Sequence, residues 1–169
     1  MADPGTGKVV DIYIAPQAGV VPHRVPRVVA IADHGLHGDR YAAGMGTWSN
    51  RPGGGRQVTL IAQEDLDAVA RDTGIRLAPA ASRRNILTAG IDLRTLVGKQ
   101  FWIGEVLCQG IRLCEPCSYL EEKTQPGVLN AFVHRAGLRA DILRGGEIVV
   151  GDHIRDAGQG PVPRPNAAP

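Results

Sequence analysis

"NILTAGIDLRTLVGKQFWIGEVLCQGIRL", residues 85–113, holds three short apolar runs: NILTAG, KQFWIG and EVLCQGIRL. Each run contains or ends at a glycine. β-branched and aromatic residues in runs this short read as strands. Strands separated by short glycine-containing turns argue for a barrel or a folded sheet, not for a parallel, doubly wound sheet. The rest of the chain extends the pattern. KVVDIYIAP (8–16), PRVVAIA (26–32), GRQVTLIA (55–62), LRADIL (138–143) and EIVVGDHI (147–154) are further strand candidates. The expected fold is mainly β, a distorted barrel with a few short helices.

Two stretches break the β pattern. QEDLDAVARDTG (63–74) puts Leu66, Val69 and Ala70 at helical spacing, has acids in its first turn and ends on a natural stop, Gly74. GVLNAFVHRAG (127–137) places Val128, Phe132 and Val133 on one helical face and stops at Gly137. ADHGLHGDRYAAGMGTWSNRPGGG (32–55) is long, glycine-rich and unpatterned. Its His, Asp, Arg and Trp content favours a functional loop over a disordered one. Residues 1–7 are small and polar and are expected to fray. Residues 157–169 are rich in Pro, Gly and Ala and are expected to be disordered. Residues 8–156 then form one domain.

The bulk numbers exclude several roles. The chain has 169 residues, 43% of them hydrophobic, with a formal net charge of +2. There is no long like-charge run, so nucleic acid and membrane are not expected partners. No apolar run approaches the roughly 18 residues of a membrane span. The first residues lack a basic stretch followed by an apolar one, and a cytoplasmic location is expected. Three cysteines without an export signal argue against a disulfide framework.

RLCEPCSYLEEKT (112–124) carries two of those cysteines, Cys114 and Cys117. A structural zinc site would need two more ligands. There is no second CxxC, and only Cys108, His34 and His37 are candidates. A redox dithiol would sit in a βαβ context that this β-rich pattern does not provide. A single reactive thiolate fits better. SYLEEKT reads as a short helical turn with Cys117 near its N-cap, where a thiolate is stabilised, and Pro116 fixes the backbone before it. A buried, inert cysteine is the bland alternative.

Two more stretches carry polar chemistry. HGLHGDRYAAG (34–44) sets Asp39 beside Arg40, an ion pair that could either close the loop or support a site. SRRN (82–85) places Ser82, Arg83, Arg84 and Asn85 just before a strand. Guanidinium forks and an amide are oxyanion-binding groups. If 82–85 is extended, alternation puts Arg83 and Asn85 on one face and Arg84 on the other. Arg51 and Arg56 flank three glycines, but no Lys-Ser/Thr follows to make a phosphate loop.

Taken in order, GLHGDR, RQVTLIAQEDL, RRNILTAGIDLRTLVGKQFWIGEVLCQG, CEPC and HRAGLRADILRGGEIVVGDHI resemble the MOSC domain family. The family is named for the C-terminal domain of molybdenum cofactor sulfurases. The likeness covers about Val9 to Arg155 and is to the small stand-alone bacterial members. It implies a distorted β-barrel. It implies that Cys117 is the reactive cysteine, the thiolate ligand to molybdenum in a pterin-bound molybdenum cofactor. Ser82, Arg83, Arg84 and Asn85 would contact that cofactor, with Asp39, Arg40, His37 and Arg56 in support. No zinc is expected, and no pyridoxal phosphate in this chain. Related enzymes reduce N-hydroxylated small molecules (hydroxylamines, amidoximes, N-hydroxylated bases) with electrons from a separate redox protein. Other members are thought to carry sulfur as a cysteine persulfide. The sequence leaves both roles, and the oligomeric state, open.

Overall fold

The structure, a computed structural model, describes residues 5–51 and 53–164. Its strands are β1 (Thr6–Ile14), β2 (His23–Val25), β3 (Arg27–Ile31), β4 (Gly35–Leu36), β5 (Val58–Ala62), β6 (Ile86–Ala89), β7 (Gln100–Ile103), β8 (Val106–Leu113), β9 (Leu138–Arg144), β10 (Gly146–Val149) and β11 (His153–Asp156). Three helices accompany them: α1 (Gln63–Thr73), α2 (Ser118–Lys123) and α3 (Val128–Ala131). Among these residues no helix is long and apolar enough to cross a membrane.

Seven strands run in the order β11-β7-β8-β9-β5-β6-β1, and β1 pairs again with β11, so the sheet closes into a barrel. β2 extends from β1, and β10-β3-β4 forms a small second sheet. All pairs are antiparallel except β5–β6. That parallel pair is joined through α1, as a parallel connection requires a crossover.

The period of two sorts the side chains. Val58 and Leu60 of β5, Leu138, Ala140 and Ile142 of β9, and Phe101 and Ile103 of β7 belong to the barrel interior. Ile61 points the other way, into an outer apolar cluster with Leu66 and Val69 of α1, Leu120 of α2, and Val128 and Phe132. β5 is therefore buried on both faces along its whole length. Its outward Thr59 and the outward Arg139 of β9 are register partners.

Several expected boundaries shift. EIVVGDHI is two strands, not one. Gly151 (φ 96°) turns the chain, and the Asp152 carboxylate accepts from the Val149 N–H at 2.9 Å. The second long helix shrinks to Val128–Ala131, because His134 adopts a left-handed φ of 61°. Residues 1–4 and 165–169 lie outside the described residues. Thr6 and Gly7, expected to fray, already pair with Arg155 and Ile154. The tail, expected to be disordered from 157, is held down through Arg164. Arg164 Nε and Nη2 donate to the buried Asp152 carboxylate at 2.7 and 2.9 Å, and Nη2 also donates to the Glu147 carbonyl.

Candidate functional site

The ends of β5, β6, β8 and β9 meet the glycine-rich loop and the 114–120 segment at a cleft. Its inner pocket, about 50 Å³, is lined by Arg40, Tyr41, Trp48, Thr59, Arg83, Arg84, Asn85, Cys117, Tyr119 and Arg139, together with Thr47, Cys114, Glu115 and Leu120. An outer groove of about 310 Å³ shares Trp48, Glu115, Cys117 and Arg139 with it and adds Arg51, Arg56, Arg112 and Leu113. Cys117 thus stands where the two compartments join.

Cys117 caps α2 with extended backbone (φ −135°, ψ 167°) and is half-buried against the outer apolar cluster. The other two cysteines are buried. Cys108 faces the barrel interior, where burial, reinforced by Asp141, pushes its thiol well above the ordinary range. Cys114 lends its carbonyl to Arg84 and its N–H to the Gly137 carbonyl at 2.7 Å. Among the described residues no group of three His, Cys, Asp or Glu side chains is placed to share a metal ion.

Arg83 is the most unusual side chain in the cleft. It has a left-handed φ of 64°, is 9% exposed and packs its guanidinium 5.8 Å from the Tyr119 ring centroid. Nη1 donates to the Val20 carbonyl at 3.0 Å, and Nη2 is buried with no partner among the described residues. Burial first, and then the charge of Arg40, pull its pKa below the ordinary arginine value. A buried cation with a spare donor and cationic neighbours is a site for an anion.

The expected alternation across SRRN does not occur. The left-handed turn at Arg83 precedes β6, so parity does not apply, and Arg83 and Arg84 line the same pocket. Arg84 clamps two backbone segments: Nε donates to the Ala136 carbonyl at 2.8 Å and Nη2 to that of Cys114 at 3.5 Å. Ser82 does not line the cleft. Its hydroxyl donates to the Pro79 carbonyl at 2.6 Å and accepts from the Arg84 N–H.

Asn85 lines the pocket, but its amide is already committed. Oδ1 accepts from the Thr59 N–H and hydroxyl at 3.1 Å each, and Nδ2 donates to the Tyr13 carbonyl at 3.1 Å. It braces β1 to β5. Asn85→Ala is therefore expected to cost about 2–3 kcal/mol of stability, because buried groups on both strands lose their partners. Urea denaturation measures this, and a loss below about 0.5 kcal/mol would contradict the brace.

Asp39 lies beneath the site and not in it. Its carboxylate accepts from the Ala15 N–H (3.0 Å), Arg40 Nη1 (3.2 Å) and the Tyr41 N–H (3.3 Å). It ties the end of β1 to the loop and holds Arg40, which also stacks on Tyr41 at 4.9 Å. His37 is exposed and lines neither compartment. Arg56 lines the outer groove, where Nη1 donates to the Arg51 and Gly53 carbonyls. Of the candidate residues, then, Cys117, Arg40, Arg83, Arg84, Asn85 and Arg56 come together. Tyr41, Trp48, Arg112, Tyr119 and Arg139 join them without having been singled out from the sequence. Trp48 and Arg51 lie on the glycine-rich loop and stack at 4.6 Å. That loop forms one wall of the cleft.

Comparison with known proteins agrees with this architecture. The YuaD protein of Bacillus subtilis has a similar structure at 22% identity, with a TM-score of 0.70 over 88% of this chain and 94% of that one. YiiM of Geobacillus stearothermophilus aligns at 15% identity and TM-score 0.67, over 89% of this chain and 75% of its own. YiiM of Escherichia coli aligns at 18% and 0.66, over 89% and 69%. At these identities the likeness is one of fold. No curated protein matches the chain in sequence. The MOSC domain pattern matches residues 34–155, which include the glycine-rich loop, both arginine-bearing walls and Cys117, and the chain belongs to the MOSC domain family.

Proposed function

We propose that the protein binds a molybdenum cofactor at Cys117 and reduces N-hydroxylated small molecules to amines. The overall reaction breaks the N–O bond, consumes two electrons and two protons, and releases the amine and water. The electrons come from a separate redox protein. The bound cofactor would supply the two-electron, oxygen-accepting chemistry.

The observation that carries this reading is the buried, unpartnered Nη2 of Arg83, a residue that lines the same pocket as Cys117. The residues present fit the group. Arg83 offers a free donor to the cofactor's phosphate, and Arg40 and Arg84 add charge. Cys117 offers a soft thiolate suited to a sulfur-ligated metal. Tyr41, Tyr119 and Leu120 line the same pocket and would limit water at those contacts, which would strengthen them. Asp39 and Asn85 hold Arg40 and the strand ends in place.

Elemental and pterin analysis of protein from a cofactor-making host tests the reading. About one molybdenum per chain and no stoichiometric zinc is expected. One zinc and no molybdenum would overturn it, and a Cys117 persulfide without molybdenum would favour a sulfur carrier. Arg83→Ala is expected to lower molybdenum retention through gel filtration about tenfold or more, since a charge-assisted hydrogen bond contributes about 1.5–3 kcal/mol and 1.4 kcal/mol is one decade. Arg84→Ala is expected to lower both retention and the melting temperature, because it also clamps backbone. Full occupancy in both folded variants would put the anion elsewhere.

A further inference from the structure

The cofactor reading leaves the outer groove unused, and that groove is cationic. Arg112 of β8 and Arg139 of β9 stand directly opposite each other in the strand register. Both line the groove. Like charges placed opposite on neighbouring strands are destabilising. Among the described residues neither arginine has an ion-pair partner. Arg112 Nη1 donates only to the Gly54 carbonyl, at 2.9 Å, and Arg139 makes no side-chain hydrogen bond. Glu115 is the one carboxylate among the described residues that line either compartment. It is already engaged, accepting from the His134 N–H at 3.1 Å and lying 3.0 Å from His134 Nδ1. An uncompensated arginine pair beside the reactive cysteine gives up stability that an incoming anion would return.

We propose, resting on the function above, that the substrate is an anionic N-hydroxylated compound. It carries a carboxylate or phosphate at a distance from its N–O group. Arg139 and Arg112 hold that anion in the outer groove, and the N–O group lies at Cys117, where the two compartments join. The inner arginines keep the cofactor's phosphate, so the cleft has two separate anion sites.

A matched pair of compounds tests this: benzamidoxime, which is neutral, and 4-carboxybenzamidoxime. At low ionic strength kcat/KM is expected to favour the carboxylated compound by about tenfold or more, and the preference is expected to shrink as salt is raised. In Arg139→Gln and in Arg112→Gln that preference is expected to fall about tenfold. A native preference for the neutral compound, or a preference unchanged in both folded variants, would overturn the proposal. Loss of molybdenum from the two variants would assign the groove to the cofactor's own phosphate and overturn it equally.

A second measurement does not depend on turnover. The chain has two tryptophans, so Trp102→Phe leaves Trp48, in the groove wall, as the reporter. Its fluorescence is titrated with both compounds, with and without Arg139→Gln. Binding that is tighter for the carboxylated compound and lost in the arginine variant supports the anion site even if the protein reduces neither compound, in which case the reductase reading alone fails. Equal binding of the two compounds overturns the site.

Discussion

Cys117→Ser, purified from a cofactor-making host, is expected to fold like the parent and to lose reduction of benzamidoxime to background. The side chain is half-buried at the end of a helix and holds no strand pair together, so little of the fold depends on its sulfur. The hydroxyl is smaller and harder, and it stays protonated where a thiol ionises. It is a poor replacement for a thiolate at a soft metal centre. Molybdenum content is expected to fall with activity. The other cysteines separate by environment. Cys108→Ser puts a hydroxyl into the barrel interior and is expected to lower the melting temperature more than the rate, whereas Cys114→Ser is expected to be milder. The assay uses an artificial electron donor, so that a missing redox partner does not mask turnover. Full activity in the Cys117 variant would sink the ligand role.

Gly137→Ala is expected to be the most damaging small substitution near the cleft, costing about 3–5 kcal/mol. Gly137 has a φ of 105°, outside the region open to alanine, and a Cβ there would overlap the Leu60 carbonyl of β5. The backbone cannot yield cheaply, since Leu60 pairs with Leu138 on one side and Ile86 on the other. The Gly137 carbonyl also anchors Cys114. Gly74→Ala provides the comparison. It has a similar positive φ, 77°, with nothing within 4 Å of the added methyl, so it carries the conformational cost alone. At roughly 2–4 °C per kcal/mol for a chain of this size, Gly137→Ala is expected to melt roughly 10 °C lower than the parent. A melt no lower than that of Gly74→Ala would show that β5 makes room.

The barrel was legible where β-branched and apolar residues run for four or more positions between glycines or prolines. β5, β6, β7, β8 and the helix α1 lie within the stretches that their patterns marked, while β1 overruns its stretch at Thr6 and Gly7 and β9 overruns its own at Arg144. β2 and β4, with three and two residues, are too short to show a period. Cys117 at a helix cap could be read from its neighbours. The pairing of Arg83 with Asn85 against Arg84 could not, because it depends on one left-handed residue. Once Arg83 turns the chain, alternation fails, and Asn85 is spent on bracing strands instead of facing a ligand. Arg139 was missed for a different reason. In LRADIL it looks like the polar half of an ordinary alternation. Only the register that sets it against Arg112, beside Cys117, separates it from a solvated arginine.

The pairing of β1 with β11 also sets when the protein can fold. Thr6–Lys8 cannot find Arg155–His153 until nearly the whole domain has left the ribosome. At about 5–20 residues per second that is a wait of roughly 7–30 s after β1 emerges. During that interval β1 can already pair with β6, yet the barrel stays an open, curling sheet with two unpaired edges. Such edges are templates for other chains. Closing the last seam spans most of the sequence, which places the molecule among slow, non-local folders. Nascent chains stalled before His153 are therefore the species most exposed to aggregation.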